Sequence, residues 1–572
     1  MTENQMIEKV STIYGLFHDV AEIQPEHPLY RFNNKSGEIT VTYGEMDELL
    51  KKMTCAFSHM NIKDKKVIIM GETSVQWIAT YVSVVTAGGV IVPFDPLLLP
   101  DEMIKFINIA DASVVVYSDS FSKLFEERGS ELPNVEYFVK TDKQSFTLDP
   151  EEAYVEEKYT SFNNLLSLGK YLYEANGAPD NMLAHDTEKL SILLFTSGTT
   201  GTSKGVMLCE KNVCTVLTGI IPVLNILTNK DSVLSVLPIH HTYEMSAGIL
   251  APMIYGMTVN ICDGIKYVGK NIKQFKPSVL ALVPMFANQL YKTIWKSAQK
   301  QGNDKKLRTG INISNFLMKL HIDVRRKLLH QVHEAFGGNL RYFIVGGAAL
   351  APELVDEFRS FGIHVSQGYG ITECAPLISV VPLTEYNPTS CGKLMPGMQA
   401  FIDKENANDT FGEIVVKGDN VMLGYYNDPE QTAQVLNNGW FRTGDYGYID
   451  EKGYLYITGR KKNIIISSSG KNVFPEEIEE YLENIPQIAE VVVVGRENAE
   501  TKDIEIVAIV YPDEEECKKA NLEGDAIYEH INGEITKINK KLAAYKHINK
   551  LEIREEPFEK TTTRKIRRNL VK

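Results

Sequence analysis

A short apolar segment that leads into a loop of small polar residues constrains the fold of this chain most. Leu190-Ser-Ile-Leu-Leu-Phe195 has the length and composition of a buried strand. The next ten residues, Thr196 to Gly205, are threonine, serine, glycine and a single lysine, Lys204. Glycine lets a backbone approach a ligand closely, and N–H groups with a lysine suit an anion. The stretch therefore predicts a phosphate-binding loop, with a flexible surface loop as the alternative.

The residues before this loop alternate between strand and helix patterns. Residues 66–70 and 88–94 read as buried strands, and residues 74–87 and 101–110 read as helices. Residues 114–117 form another short β-branched run. This alternation predicts an α/β fold in which parallel sheets are covered by helices.

Bulk properties exclude several classes of protein. The chain has 572 residues, so two to four domains are expected, and its net charge of −14 disfavours a nucleic-acid binder. Its seven cysteines include no Cys-x-x-Cys pair, which favours reduced thiols in a cytoplasmic protein. We find no signal-peptide pattern at the start and no apolar run long enough to be a transmembrane segment.

The composition changes near residue 460. Residues 390–458 are rich in glycine and short β runs, which predicts a small barrel or sheet. The residues after 463 read as a compact α+β unit of about 110 residues, a plausible size for a domain. We therefore predict an N-terminal domain over 1–459 and a C-terminal domain over 464–572, joined by residues 460–463.

Two adjacent histidines follow an apolar run in Ser232-Val-Leu-Ser-Val-Leu-Pro-Ile-His240-His241, with Glu244 nearby. Imidazoles beside a carboxylate could hold a metal ion. Consecutive residues of a strand face opposite ways, however, so we expect that His240 and His241 do not bind one ion together.

A charged helical pattern runs from Ser297 to Phe336. Its Lys/Arg-rich face predicts a solvated surface, with peripheral membrane contact or an acidic carrier as alternatives.

Several stretches, taken in chain order with the loop at 196–205, resemble motifs of the adenylate-forming (AMP-binding) enzyme superfamily. They are Gly346-Gly-Ala-Ala-Leu350, Gln367-Gly-Tyr-Gly-Ile-Thr-Glu373, Trp440-Phe-Arg-Thr-Gly-Asp445, Gly459-Arg460 with Gly470-Lys-Asn-Val-Phe-Pro-Glu-Glu-Ile-Glu479, and the C-terminal lysine motif from Pro557 to Arg568. The loop itself departs from the family pattern only at Ser203, where proline is usual. Leu237–Glu244 and Glu334–Leu340 look most like the bacterial long-chain fatty acid–CoA ligases (acyl-CoA synthetases).

The resemblance implies an acyl-CoA synthetase-like fold: a large N-terminal domain of parallel α/β sheets plus a small β-barrel, followed by a small mobile α+β C-terminal domain. It also implies a two-step reaction. A medium- to long-chain fatty acid is expected to attack ATP, giving acyl-AMP and pyrophosphate, and coenzyme A then forms the thioester and releases AMP. ATP, Mg²⁺ and coenzyme A follow as expected cofactors and substrates.

The resemblance also assigns residues to roles. Lys565, Glu373, His241 and Lys204 are the expected catalytic residues, Thr196 and Glu373 the expected Mg²⁺ ligands, and Lys462 the expected hinge. Arg564 stands where the family usually has glycine. The expected nucleotide-binding residues are Thr196, Ser197, Gly198, Thr199, Thr200, Gly201, Lys204, Gly346, Gly347, Ala348, Gln367, Gly368, Tyr369, Gly370, Thr372, Asp445, Arg460 and Lys565.

Two other functions stay open at this point. One is a ligase that forms acyl-AMP and passes the acyl group to an acyl carrier protein. The other is an inactive acyl or nucleotide sensor on the same fold, which the presence of Lys565, Glu373 and the full loop disfavours. A homodimer is a further expectation that no residue pattern tests.

Overall fold

The computed structural model describes residues 7–151, 153–180, 182–196, 204–406, 409–467, 471–498, 500–560 and 566–571. Its internal contacts divide the chain into two compact units. The first unit comprises the residues up to 196 together with 204–399 and 417–439, and the second comprises 400–416 and the residues from 440 onward. We describe each unit separately.

Strands and helices alternate over most of the chain, as the sequence predicts. The strands are β1 (Pro28–Asn34), β2 (Gly37–Thr42), β3 (Lys66–Met70), β4 (Val90–Phe94), β5 (Ala112–Ser118), β6 (Tyr137–Thr141), β7 (Tyr159–Ser161), β8 (Leu190–Thr196), β9 (Lys204–Cys209), β10 (Ser232–Ser235), β11 (Thr258–Ile261), β12 (Val279–Leu282), β13 (Tyr342–Val345), β14 (His364–Gly370), β15 (Leu377–Val380), β16 (Lys393–Leu394), β17 (Gln399–Asp403), β18 (Gly412–Lys417), β19 (Gly424–Tyr425), β20 (Leu436–Asn437), β21 (Trp440–Ile449), β22 (Leu455–Arg460), β23 (Ile465–Ile466), β24 (Asn472–Val473), β25 (Ile488–Glu497), β26 (Ile504–Pro512) and β27 (Lys550–Ile553). The α-helices are α1 (Ile13–Ile23), α2 (Tyr43–His59), α3 (Val75–Thr86), α4 (Pro100–Ala110), α5 (Ser122–Arg128), α6 (Phe162–Asn176), α7 (Glu210–Ile220), α8 (Val268–Phe275), α9 (Pro284–Lys300), α10 (Asp304–Lys319), α11 (Arg325–Leu328), α12 (His330–Ala335), α13 (Pro352–Phe361), α14 (Pro429–Val435), α15 (Pro475–Glu483), α16 (Glu514–Lys519) and α17 (Asp525–Asn539).

The first unit contains an eight-stranded sheet in the order β19-β9-β8-β4-β3-β5-β6-β7. The strands from β8 to β7 are parallel, and β9 and β19 are added antiparallel at one edge. Strands β3 and β4 are runs of valine and isoleucine because parallel strands are buried on both faces. Helix α3, capped by Ser74, is buried along its whole length between residues 75 and 86.

The same unit contains a nine-stranded sheet in the order β16-β15-β14-β13-β12-β10-β11-β1-β2. Strands β14 to β1 of that order are parallel, and antiparallel strands complete both edges. Helix α13 begins at Pro352 and is terminated by Gly362, whose φ of 84° is left-handed. The prediction of parallel α/β sheets is confirmed.

The charged pattern from Ser297 to Phe336 forms several helices instead of one. Helix α9 ends near Gly302, which has a φ of 68°, and α10 is followed by His321, with a φ of 60°. Left-handed residues stop an α-helix, so the chain turns at both places and continues as α10, α11 and α12. The apolar pattern of this region does not reveal these turns, and two of its leucines, Leu320 and Leu328, are exposed.

The second unit contains strands of three sheets, one of which is the short pair β23–β24. Strands β17, β18, β21 and β22 belong to one antiparallel sheet, which agrees with the predicted small barrel or sheet. In the third sheet, β25 pairs antiparallel with β26, and β27 pairs parallel with β26. The apolar face of α17, which includes Ile531, Ile535 and Ile538, is buried in this α+β core.

Residues 440–459 group with the C-terminal residues in the second unit. The predicted domain boundary at 460, with a hinge at 460–463, stays a prediction.

Candidate active site

The hairpin β8–β9 holds both ends of the predicted phosphate-binding loop. Thr196, the last residue of β8, pairs with Lys204, the first of β9, and its hydroxyl donates to the Lys204 carbonyl oxygen at 3.4 Å. The loop residues between them, which include the predicted nucleotide ligands Ser197, Gly198, Thr199, Thr200 and Gly201, lie outside the described residues. The antiparallel ladder therefore fixes where this loop begins and ends.

Lys204, Tyr425 and Glu373 form the centre of the candidate site. The Lys204 ammonium lies 4.8 Å from the centroid of the Tyr425 ring, within the range of a cation–π contact. The Tyr425 hydroxyl donates to Glu373 Oε1 at 2.9 Å. Burial and the neighbouring Glu373 carboxylate raise the pKa of Tyr425, so its hydroxyl keeps the proton that it donates.

A strand pairing and several hydrogen bonds bring Tyr425 to Glu373. Strand β19 pairs with β9, and the Tyr426 N–H donates to the Gly205 carbonyl oxygen at 2.7 Å. The Met422 N–H donates to the carbonyl oxygen of Glu373 at 2.8 Å, and the Asn420 side-chain amide donates to the carbonyl oxygens of Cys374 and Leu377. Sequence reasoning missed Tyr425, because nothing in its local pattern links it to a residue fifty positions earlier.

Thr196 and Glu373 offer oxygen ligands, the type that Mg²⁺ prefers. Glu373 Oε1 accepts from Tyr425, so its second oxygen is the one available to an ion. Neither residue is exposed, and both are only partly buried, which leaves room for the waters that Mg²⁺ usually keeps. The two residues therefore fit the predicted ion, and their role as its ligands stays a prediction.

In the two loops predicted to bind nucleotide, neighbouring atoms or a left-handed backbone disfavour a side chain at Gly346, Gly347 and Gly370. The Tyr243 ring lies against Gly346, where a Cβ would come within 3.1 Å of it, and Gly347 has a φ of 85°. A Cβ at Gly370 would overlap the Pro376 carbonyl oxygen. The Tyr243 hydroxyl donates to the carbonyl oxygens of β12 and β13 at 3.2 and 2.8 Å, which holds the ring under the first loop.

The Gln367 side chain joins two loops. Its Oε1 accepts from the Leu350 N–H at 3.2 Å, and its Nε2 donates to the Pro388 carbonyl oxygen at 2.9 Å. This buried amide therefore ties the loop after β13 to the segment that contains Pro388. Of the other predicted nucleotide residues, Ala348 lies in that loop, Gly368 and Tyr369 lie on β14, and Thr372 begins the turn that carries Glu373. Their contacts with a nucleotide stay predictions.

In the second unit, Asp445 and Arg460 lie opposite each other on β21 and β22. The Arg460 Nε donates to Asp445 Oδ1 at 2.8 Å, and the carboxylate is 5% exposed. These two residues, both predicted to bind the nucleotide, are therefore paired with each other, and their contacts with a nucleotide stay predictions.

The predicted hinge residue Lys462 lies in a short 3₁₀ turn, Lys461–Asn463. Burial, together with the neighbouring Arg460 and Arg568 guanidinium groups, lowers its pKa to about 8. Asn463 donates to Glu476 Oε1 at 2.6 Å and Lys461 contacts Glu413 Oε2 at 3.0 Å, so both neighbours of Lys462 are tied by their side chains. The predicted adenylation lysine, Lys565, and Arg564 lie outside the described residues.

The prediction that His240 and His241 face opposite ways is wrong. Strand β10 ends at Ser235, and the His241 N–H donates to the Pro238 carbonyl oxygen at 3.1 Å, so both histidines lie in a turn. Their ring centroids are 4.1 Å apart. The strand alternation on which the prediction rested does not extend to these residues.

Glu244 begins a π-helical segment, Glu244–Leu250, and its carboxyl group is fully buried beside Gly248. Burial raises the pKa of Glu244 to about 8, against the opposing effect of a 2.5 Å hydrogen bond from the Ser235 hydroxyl. The native state therefore keeps a proton on this carboxyl group at neutral pH.

The Glu244→Gln variant should lose part of the pH dependence of unfolding. A pKa raised on folding contributes stability at low pH, and this contribution disappears as pH rises from the unfolded value near 4.5 to about 8. Glutamine cannot ionise, so we expect its melting temperature to exceed that of the wild type above about pH 8. Thermal melts from acid to alkaline pH, with the exposed Glu353→Gln as the matched control, measure this. Parallel profiles for Glu244→Gln and wild type would contradict it.

Two family models match the chain. One, described as AMP-binding enzyme, matches residues 17–426, and the other, described as AMP-binding enzyme C-terminal domain, matches residues 462–572. The chain belongs to the AMP-binding enzyme family. The predicted superfamily is thus confirmed, and the two matches leave the region from 427 to 461 between them.

Named relatives of this AMP-binding enzyme agree with the predicted branch. The mouse long-chain-fatty-acid–CoA ligase ACSBG2 is 26% identical over 520 residues, which are 85% of this chain and 76% of the relative. The Mycobacterium bovis long-chain-fatty-acid–CoA ligase FadD15 is 32% identical over 317 residues, 53% of this chain and 52% of the relative.

A solved structure confirms the fold class of this AMP-binding enzyme. The crystal structure of the anthranilate CoA ligase AuaEII with anthranoyl-AMP superposes with a TM-score of 0.76 at 19% identity, covering 99% of this chain and 97% of that one. Among the helices that the structure describes, none combines the length and the apolarity needed to cross a bilayer.

Proposed function

We propose that this AMP-binding enzyme activates a medium- to long-chain fatty acid with ATP and transfers the acyl group to coenzyme A. The observation that carries the proposal is the group formed by Lys204, Tyr425 and Glu373. The Tyr425 side chain contacts both the Lys204 ammonium and the Glu373 carboxylate, next to the loop predicted to bind phosphate. The names of the two relatives support the acid and the thiol acceptor.

In the first half-reaction, a carboxylate oxygen of the fatty acid attacks the α-phosphorus of ATP, and pyrophosphate leaves. Lys204 lies at the start of β9, where its charge can offset that of the departing phosphates. Glu373 and Thr196 would hold Mg²⁺, which supplies further positive charge at the phosphates. Tyr425 acts through Glu373 by fixing one carboxylate oxygen, so it is a positioning residue.

The acid end of the site is proposed to lie at the turn that carries His241. This turn follows β10, at the carboxyl edge of a parallel sheet, where ligands of α/β proteins usually bind.

In the second half-reaction, the thiol sulfur attacks the acyl carbonyl carbon of acyl-AMP, and AMP leaves as the oxygen–carbon bond breaks. Asp445 is proposed to accept hydrogen bonds from the ribose hydroxyls, since an ionised carboxylate only accepts.

An AMP-release assay with saturated fatty acids of increasing length tests the proposal. Coenzyme A and an acyl carrier protein are compared as acceptors in the same assay. We expect AMP release that requires acid, ATP and coenzyme A together, with an optimum among medium to long chains. Release with the carrier protein alone would make the protein a carrier ligase, and no release with any acid would favour a sensor.

One active site must serve both half-reactions, and a rotation about Lys462 is proposed to separate them. Lys462→Pro fixes φ near about −65° and should spare pyrophosphate exchange while slowing thioester formation by about 10-fold or more. Lys462→Ala is the matched control, because it removes the same ammonium group but leaves the backbone free. Equal losses in both half-reactions, or equal effects of the two variants, would contradict the hinge.

A further inference from the structure

Three side chains with metal-binding chemistry meet where two sheets of the first unit end. Asp95 follows β4 of the eight-stranded sheet directly, and His240 and His241 lie in the turn after β10 of the nine-stranded sheet. One potential ligand atom from each of the three residues lies within 4.8 Å of the other two. Two separate sheets therefore bring a carboxylate and two imidazoles to one place.

The Asp95 carboxylate is oriented before any ion binds. Its Oδ1 accepts from the Leu97 N–H at 2.8 Å, and its Oδ2 lies 3.5 Å from His240 Nε2. Two ligands placed 2.0–2.1 Å from a tetrahedral zinc ion are separated by about 3.4 Å. The distance between these two atoms therefore matches one edge of a zinc coordination tetrahedron.

His240 supplies a second, independent observation. Its side chain is 7% exposed, and its Nε2 makes no hydrogen bond to the part of the chain that the structure describes. Buried polar atoms are normally hydrogen-bonded, because desolvation without a partner is unfavourable. The Nε2 atom points toward Asp95 at a distance too long for a good hydrogen bond but suitable for sharing an ion.

His241 completes the set of ligands. Its ring centroid is 4.1 Å from that of His240, with 49° between the ring planes, because the turn places consecutive side chains on the same side. The ligand atoms of a tetrahedral zinc ion lie about 3.4 Å apart. Because the atoms of this group lie within 4.8 Å of one another, they need to approach by about 1.4 Å at most, which a rotation of an imidazole can supply.

We propose that Asp95, His240 and His241 bind one divalent transition-metal ion of the zinc type. Two imidazoles and one carboxylate suit Zn²⁺, Co²⁺ or Ni²⁺, whereas Mg²⁺ prefers oxygen ligands alone. Three protein ligands leave a fourth position open to water or a carboxylate. This site is distinct from the predicted Mg²⁺ site, whose expected ligands Thr196 and Glu373 belong to other elements.

The first experiment titrates Co²⁺ into the full-length protein after chelator treatment, with excess Mg²⁺ present, and follows visible absorption. We expect one equivalent to bind with the intense bands of tetrahedral cobalt and without a thiolate charge-transfer band. Loss of a group that only orients a metal ligand already weakens metal binding by about 10–100-fold, so removing a ligand by Asp95→Asn or His240→Ala should cost at least about 10-fold. His330→Ala, at an exposed histidine of α12, is the matched control.

Circular dichroism and melting temperature establish that the variants fold. If a variant fails to fold, the other still decides the outcome, because each removes a different ligand. Wild type and folded variants that bind Co²⁺ equally would overturn the proposal. Absence of stoichiometric binding to the wild type would also overturn it and would leave Asp95 and His240 as a simple ion pair.

A second readout concerns regulation and rests on the proposed function. An ion at this site occupies His241, which the proposed function places near the acid. We expect micromolar Zn²⁺ to inhibit AMP release by the wild type, and a chelator to reverse this. Asp95→Asn should resist Zn²⁺ at least about 10-fold better. If the protein has no ligase activity, only this readout fails, whereas the Co²⁺ titration tests the metal site alone.

Discussion

Lys565→Ala is expected to abolish acyl-AMP formation while leaving thioester formation from supplied acyl-AMP largely intact. The adenylation lysine would stabilise charge that develops at the α-phosphate only in the first half-reaction. Removing one such electrostatic contact typically costs about 10²–10³ in rate. Exchange of labelled pyrophosphate into ATP measures the first step, and thioester yield from synthetic acyl-AMP measures the second.

Lys560→Ala provides the matched control, five residues away in the same basic segment. The Lys560 ammonium contacts Glu490 Oε1 at 2.5 Å, so it is engaged within the second unit. We expect this variant to alter stability slightly and to keep pyrophosphate exchange. Wild-type exchange in Lys565→Ala would remove this lysine from the mechanism.

Glu373→Gln should reduce pyrophosphate exchange by about 10²-fold, an effect of the size that a lost electrostatic contact produces. A neutral amide is a poor ligand for a hard cation, so the apparent Mg²⁺ requirement should rise and added Mg²⁺ should restore part of the rate. The measurement is exchange rate against Mg²⁺ concentration at saturating ATP.

Tyr425→Phe separates positioning from ligation at the same carboxylate. It removes the hydroxyl that donates to Glu373 but retains the ring beneath Lys204. We expect a smaller loss than for Glu373→Gln, about 10-fold, with the same dependence on Mg²⁺. A large fall in the melting temperature of Glu373→Gln without any Mg²⁺ dependence would make Glu373 a structural residue.

The sequence predicts the strands and helix ends that depend only on neighbouring residues. Residues 66–70 and 90–94 are strands because valine and isoleucine fill both faces of a parallel sheet, and Pro352 and Gly362 bound α13 because their backbone preferences start and stop a helix. The motif order indicated the family and the glycine loops, whose need for small residues the Tyr243 ring and the Pro376 carbonyl explain.

The parts that the sequence could not predict depend on contacts distant in the chain. Tyr425 reaches Glu373 only because β19 is added beside β9, a pairing of residues more than two hundred positions apart. His240 and His241 come together because β10 ends at Ser235 and a turn follows. The apolar run continues to Ile239 and therefore suggests a longer strand than the structure has. Hydrophobic periodicity reports which residues are buried, and it does not report where a strand stops pairing.

The Tyr243 side chain links two segments of the first unit, the turn that carries the histidines and the loop at Gly346. Its backbone belongs to the turn that carries the histidines, while its ring lies against Gly346 and its hydroxyl holds the carbonyl oxygens of β12 and β13. A change of side chain at Tyr243 would disturb both the loop at Gly346, which is predicted to bind nucleotide, and the turn that carries His240 and His241. Efforts to alter the acid preference expected under the proposed function should therefore leave Tyr243 unchanged.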